Sequence, residues 1–350
     1  MFNKPVKDMK IVVFGAGAVG ATVGGWIANH HKNLYFLDRG PVAEALKENG
    51  ITLYHGDHPD KKESYKVNVI EDINELKDAD IIILSVKNYS LDGVAQAIKD
   101  VTGDNPYIIS MANGLENQKI LPKYFSKVIY TVVSYNAWVD QPAVVGYQTK
   151  GTLIIGTPDN SLEDDMTTLS VHFKKFLDIE VSKNFLDAVH TKIIINLTNA
   201  LTTLIGHGFK PISDFDIFQI LLPNTLYEGV KVVKAAGYHE CRAGENPSWL
   251  LLTIAAKLPR FITRPIFKKN VAKMKMSSMT QDIIKMGSPD SEIDSLTGYI
   301  VELAEKHGIE VPFNKAILES CRERFGMETF EPMDVTEVWE KVQLMKTSKN

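Results

Sequence analysis

Residues 10–24, Lys10-Ile11-Val12-Val13-Phe14-Gly15-Ala16-Gly17-Ala18-Val19-Gly20-Ala21-Thr22-Val23-Gly24, run a short apolar strand straight into a glycine-spaced turn. A lone GxGxxG is common by chance, so its meaning comes from the context. Ile11 to Phe14 read as a fully buried parallel strand, and Val19 to Asn29 as a helix with small residues along one side. In a dinucleotide-binding unit Gly15 permits the tight turn, and Gly17 lets the backbone approach the pyrophosphate. Gly20 allows close packing of helix on strand, while the helix N-terminus offers free N–H groups to the phosphates. Ala16, Ala18 and Val19 complete the cofactor-binding turn. A strand–turn–helix without a ligand is the bland alternative, and the context favours a cofactor.

Working outward, strand-like and helix-like segments alternate, the pattern of a parallel sheet with crossover helices. Leu34 to Leu37 form a strand ending at Asp38, and Pro41 to Asn49 a helix with Gly50 at its end. Asp80 to Val86 and Tyr107 to Met111 read as further buried strands, with a helix from about Ser90 to Lys99 between them. Lys127 to Val133, Ala143 to Gln148 and Thr152 to Ile155 alternate with turns and predict a more antiparallel edge. From about Phe185 the strands stop and long apolar or amphipathic helical stretches take over. The expected fold class is α/β. An N-terminal Rossmann-type parallel-sheet domain over 1–184 is followed by an all-helical C-terminal domain over 185–350. Residues 257–275, rich in Lys and Arg, read as a solvated loop and helix face in preference to an anion-binding lid.

The composition fits this picture. A chain of 350 residues favours two domains, and 44% hydrophobic with 23% charged residues is ordinary for a globular protein. A formal net charge of -4 gives no reason to expect nucleic acid. Cys241 and Cys321 alone make neither a disulfide framework nor a cysteine metal site, so no metal is expected. No apolar stretch reaches the roughly 18 residues of a membrane helix, and no secretory signal opens the chain. A cytoplasmic protein without a membrane partner is the default expectation.

Two positions after the second strand bear on the cofactor. A carboxylate there accepts hydrogen bonds from the ribose hydroxyls of NAD, whereas an arginine accommodates the 2′-phosphate of NADP. This chain carries both, Asp38 and Arg39. Lys87, beyond the strand of Ile81 to Val86, adds a cation on the ligand-binding rim and tips the balance slightly towards NADP, with NAD left open by Asp38. Asn113-Gly114, after another strand, reads equally as a site or as turn chemistry. Lys192 and Asn196 lie four apart, hence on one face of an otherwise apolar helix. Such a pair is costly without partners. It serves either as proton donor and substrate clamp or as a snorkelling lysine beside a packing asparagine. Glu292 and Asp294 fit a helix first turn, and Ser277-Ser278 a helix cap.

Taken together and in this order, these segments resemble the ketopantoate reductase family. The resemblance rests on Gly15 to Gly20, Arg39, Ser85-Val86-Lys87 and Asn113-Gly114-Leu115, then on Lys192 to Asn196 and Ser277 to Asp282. Ser291 to Asp294 and His307 to Asn314 complete it. It implies NADPH-dependent reduction of a small 2-keto acid, 2-dehydropantoate above all. Lys192 matches the family's general acid, and Glu292 the carboxylate supporting it. Asn113 and Asn196 match residues at nicotinamide and substrate, Ser278 a residue that hydrogen-bonds the substrate, and Arg39 with Lys87 the 2′-phosphate ligands. The resemblance is compatible with a homodimer. The chain departs from the family pattern at Ala200-Leu201, Lys275 and Thr297, mostly among substrate contacts. An NAD-dependent D-2-hydroxyacid dehydrogenase of the same family and a non-catalytic nucleotide sensor are the rival readings; the retained Lys192, Asn196 and Glu292 argue against the sensor.

Overall fold

The computed structural model describes residues 2–241 and 246–347, which divide into two compact units. The first reaches to Val189, and the second begins at His190.

The first unit is built on twelve strands: β1 (Ile11–Phe14), β2 (Leu34–Leu37), β3 (Ile51–His55), β4 (Lys62–Tyr65), β5 (Asn68–Ile70) and β6 (Ile81–Leu84), then β7 (Tyr107–Ser110), β8 (Val128–Val133), β9 (Ala137–Gln141), β10 (Val144–Tyr147), β11 (Leu153–Gly156) and β12 (Ile179–Val181). Eight form the main sheet in the order β12-β11-β8-β7-β6-β1-β2-β5. From β5 across to β8 every neighbouring pair is parallel. That agrees with the near-continuous apolar runs of β1, β6 and β7, since strands covered on both faces need no polar alternation. Helices α1 (Ala18–Ala28), α2 (Gly40–Asn49), α3 (Asn88–Thr102), α4 (Glu116–Ile120) and α5 (Glu163–Phe173) complete the unit. The chain leaves β1 for β2 on one side and returns to β6 on the other. The order therefore reverses between β1 and β6, where such sheets bind ligands at the strands' carboxyl ends.

The antiparallel edge holds for β8 with β11. The segment Ala143 to Gln148 belongs elsewhere. Its strand β10 pairs antiparallel with β9 and parallel with β3, in a second sheet of order β4-β3-β10-β9. This sheet covers the side of α1 turned away from β1 and β2. A Cβ on Gly24 would fall 2.3 Å from Phe36 of β2, and one on Gly25 would fall 2.8 Å from Leu53 of β3. The helix is thus apolar all round because both of its faces are covered, and Gly20 to Ile27 are all buried.

The second unit is helical. It holds the greater part of α6 (Phe185–Leu204), then α7 (Phe215–Ala235), α8 (Trp249–Lys257), α9 (Arg260–Lys273), the single turn α10 (Ser278–Thr280), α11 (Tyr299–Lys306), α12 (Pro312–Phe325) and α13 (Val335–Thr347). Asp214 caps α7 by accepting from the N–H groups of Asp216 at 2.8 Å and Ile217 at 2.9 Å. Gly229 on α7 lets that helix close on α6, since a Cβ there would lie 2.6 Å from Leu197. Two π-turns, Gln281–Lys285 and Asp294–Gly298, interrupt the segments that carry the Ser278 and Glu292 motifs. Such wide turns occur often at functional sites. Among the described residues no helix is long and apolar enough to cross a membrane.

Candidate functional site

In the first unit the glycine turn sits against the end of β6. Gly15 has φ +92°, a conformation open to glycine, and a Cβ there would lie 3.1 Å from the Ser85 carbonyl oxygen. At Gly20 a Cβ would fall 2.0 Å from the Gly15 carbonyl oxygen, so any larger residue breaks the turn. Gly17 differs: a Cβ there meets nothing within 4 Å. It is the N-cap of α1, and no side chain caps the helix. The N–H groups of the first turn stand at the positive end of the helix dipole, an arrangement able to hold an anion.

Asp38 turns towards this loop. Its Oδ2 accepts from the Ala16 N–H at 2.6 Å, and its Oδ1 from the Arg39 N–H at 2.8 Å. The half-buried carboxylate therefore braces the turn. Arg39, the N-cap of α2, is exposed, and its guanidinium has no hydrogen bond or ion pair among the described residues. Lys87 is half-buried and serves as N-cap of α3. Asn113 is half-buried, and its carbonyl accepts from Asn88 Nδ2 at 2.8 Å, with Gly114 following at φ +78°. Asn113-Gly114 thus has a turn geometry, and Asn88 fixes it; the position of Asn88 at the start of α3 was the signal available in the sequence.

In the second unit α6 carries Lys192 and Asn196 one turn apart. Lys192 is half-buried, makes no hydrogen bond or ion pair among the described residues, and burial pushes its ammonium down to about 8. Asn196 is 7% exposed, and its Nδ2 is buried without a hydrogen-bond partner. A buried amide donor left unmade costs about 1–3 kcal/mol, so a helix keeping two such donors on one face is not optimised for stability alone.

Ser277 and Ser278 separate into different roles. Ser277 caps the turn of α10, accepting from the Thr280 N–H at 3.1 Å. Its hydroxyl and that of Thr280 are 2.7 Å apart, and Thr280 is tied to Thr203 of α6 at 2.8 Å. The half-buried Ser278 hydroxyl takes no part in this network. Thr203 and Thr280 thus anchor the segment bearing Ser278 to the helix bearing Lys192. Sequence reasoning missed both, although Thr203 falls seven residues after Asn196 and hence on its face. Glu292 is buried at the start of the Asp294–Gly298 turn, but no hydrogen bond or ion pair joins it to Lys192. Asp294 is instead paired with Arg322 at 2.6 Å on the surface.

A further carboxylate lies deep in the unit. Glu228, 3% exposed, accepts from the N–H groups of Phe313 at 3.2 Å and Asn314 at 2.9 Å, and from Asn314 Nδ2 at 2.8 Å. Burial pushes it up to about 7 despite these donors. The Val311-Pro312-Phe313-Asn314 motif is accordingly a helix start closed by a buried acid.

Comparison with known proteins bears on both units. The family model described as ketopantoate reductase PanE/ApbA matches residues 11–160, and its C-terminal companion matches residues 184–324. A 2-dehydropantoate 2-reductase of Pyrococcus abyssi is 28% identical over 310 residues, covering 87% of this chain and 94% of that protein. One from Halobacterium salinarum is 25% identical over 321 residues, covering 90% of this chain and 98% of that protein. Among solved structures, a PanE/ApbA family ketopantoate reductase from Ralstonia eutropha superposes with TM-score 0.70 at 24% identity, covering 96% of this chain and all of that one. D-mandelate dehydrogenase with NADH and anilino(oxo)acetate gives TM-score 0.71 at 19% identity, covering 97% of this chain and all of that one. At such identities these structures speak for the fold alone. With two family models spanning most of its length, the chain belongs to the ketopantoate reductase PanE/ApbA family.

Proposed function

We propose that the chain is an oxidoreductase reducing the keto group of a small 2-keto acid, with 2-dehydropantoate the first candidate because the similar proteins of Pyrococcus abyssi and Halobacterium salinarum bear that name. One observation carries the reading. Lys192 and Asn196 stand one turn apart on α6 as donors without partners among the described residues, and the lysine is poised near 8. A proton donor whose pKa lies near the working pH is suited to general acid catalysis.

The glycine turn fits a dinucleotide, with open space at Gly17 and an uncapped helix N-terminus behind it. Bound reduced nicotinamide would supply the hydride. Lys192 gives its proton to the keto oxygen as that oxygen gains charge. Asn196 Nδ2 donates to a substrate oxygen, and the Ser278 hydroxyl to another. Asn113 lies after β7 on the rim where the nicotinamide end belongs, and the uncapped first turn of α1 takes the pyrophosphate. Glu292 enters as a supporting carboxylate whose influence on Lys192 is open to direct measurement.

The cofactor reading is NADPH. Both oxygens of Asp38 are engaged by backbone N–H groups, while the Arg39 guanidinium stands exposed with no partner among the described residues, as a 2′-phosphate ligand would. Lys87 adds positive charge on the same rim. The second reading, an NAD-dependent D-2-hydroxyacid dehydrogenase, is favoured by the Asp38 carboxylate itself, which keeps lone pairs for a ribose hydroxyl. Initial rates with 2-dehydropantoate, pyruvate, 2-ketoisovalerate and phenylglyoxylate, each with NADPH and NADH, decide between them. Oxidation of neither cofactor with any of these acids would overturn both.

A further inference from the structure

Helix α9 is held by one face only. Phe267 packs on Phe215 and Phe218, with ring centroids 5.4 and 5.7 Å apart. Gln219 Nε2 of α7 donates to the Arg260 carbonyl and the Thr263 hydroxyl, each at 3.0 Å. No residue of the helix is buried. Away from that contact three apolar side chains stand in solvent: Phe261 is 78% exposed, Ile262 50% and Ile266 67%. Single exposed apolar residues are ordinary, but three on the outward half of one helix, preceded by a 43% exposed Leu258, form a patch that needs an explanation.

Charge narrows what covers it. Residues 257–275 hold seven Lys and Arg and no Asp or Glu. At 100° per residue, Lys269 and Lys273 fall in the same arc as Ile262 and Ile266, and Lys268 borders Phe261. None of these three lysines has an ion pair among the described residues. The occupant must therefore be apolar and anionic at once. A second copy meeting this face about a two-fold axis would set its own cations against these. A bilayer surface carrying anionic lipid meets both demands: apolar side chains enter the boundary between headgroups and acyl chains, and lysine stems extend so that their charges stay among the phosphates.

We propose that α9 is a peripheral docking helix for anionic lipid surfaces, with Phe261, Ile262 and Ile266 inserting and Lys268, Lys269 and Lys273 engaging the headgroups. The contact is reversible, since the helix is short.

The test is sedimentation of the full chain with phosphatidylcholine vesicles, with and without phosphatidylglycerol. Binding is expected only to the vesicles containing phosphatidylglycerol, and it should fall steeply as salt is raised. The triple change Lys268→Ala, Lys269→Ala, Lys273→Ala should weaken it about 100-fold, at roughly fivefold per cation. Phe261→Ser with Ile266→Ser should also weaken it. These exposed side chains lie outside the proposed catalytic residues, so keto-acid reduction by the variants serves as the control for folding. Equal binding to neutral vesicles, or none to either, would overturn the proposal. A dimer that dissociates on Phe261→Ser with Ile266→Ser, without any vesicle binding, would reassign the face to contact between copies.

Discussion

The Asp38 carboxylate and the Ala16 N–H are joined by a 2.6 Å hydrogen bond that ties the end of β2 to the glycine turn after β1. This bond makes Asp38 a brace of the glycine turn, and on the proposed reading of that turn it matters whichever cofactor is used. Asp38→Ala should therefore raise KM for both NADPH and NADH, whereas Arg39→Ala should raise KM for NADPH alone and move the preference towards NADH. Steady-state kinetics with both cofactors separate the two effects. An unchanged preference in Arg39→Ala would remove the 2′-phosphate role.

The glycines of the turn should respond unequally. A methyl at Gly20 would collide with the Gly15 carbonyl oxygen, so Gly20→Ala should destabilise the protein by about 1–3 kcal/mol or more. Gly17→Ala places its methyl in open space, so thermal unfolding should be nearly unchanged while KM for the cofactor rises. Equal melting temperatures for the two variants would contradict the geometry.

With Lys192 as the proposed proton donor, its titration sets the alkaline side of the pH profile. Burial holds its ammonium near 8, and the proposed reduction needs the protonated form, so kcat should fall as pH rises through about 8. Lys192→Ala should cut kcat by about 100- to 10,000-fold and leave cofactor binding intact, as read from nucleotide fluorescence titration. If Glu292 supports the charge of Lys192, Glu292→Gln moves the alkaline limb to lower pH. A limb that stays in place removes Glu292 from that role.

Glu228 and Asn314 set a separate pH response, in stability. The folded-state pKa of Glu228, about 7, lies above its ordinary 4.5. Its contribution is thus present below about 4.5 and lost as pH rises to about 7. Asn314→Ala removes the donor at 2.8 Å and should cost about 1–3 kcal/mol, with the larger loss above pH 7, where the carboxylate is ionised. Denaturant unfolding on both sides of that range measures the difference.

How far the sequence could be read follows from which residues carry period and burial. β1, β6 and β7 announced themselves as unbroken apolar runs, and α6 and α7 as long apolar stretches. The second sheet did not, because β4 (Lys-Glu-Ser-Tyr) has no apolar alternation and lies largely exposed. For the site, Lys192 and Asn196 were legible because two polar residues interrupt an apolar face. The orientation of Asp38 was not, since it depends on a backbone N–H twenty-two residues away. Nor could adjacent serines reveal that Ser277 caps α10 while Ser278 stays out of the hydroxyl network.

Helix α1 has a main-sheet strand against Gly24 and a second-sheet strand against Gly25. For protein engineering, this makes the loop's anchor an immovable part: enlarging side chains along α1 jams one sheet or the other. The entrance of α2 is a different matter. Arg39 is exposed there, whereas Gly40 beside it, at φ +58°, is held to glycine by its backbone. On the proposed reading of Arg39 as the 2′-phosphate ligand, cofactor preference is the property to change at that position while the scaffold behind it stays fixed.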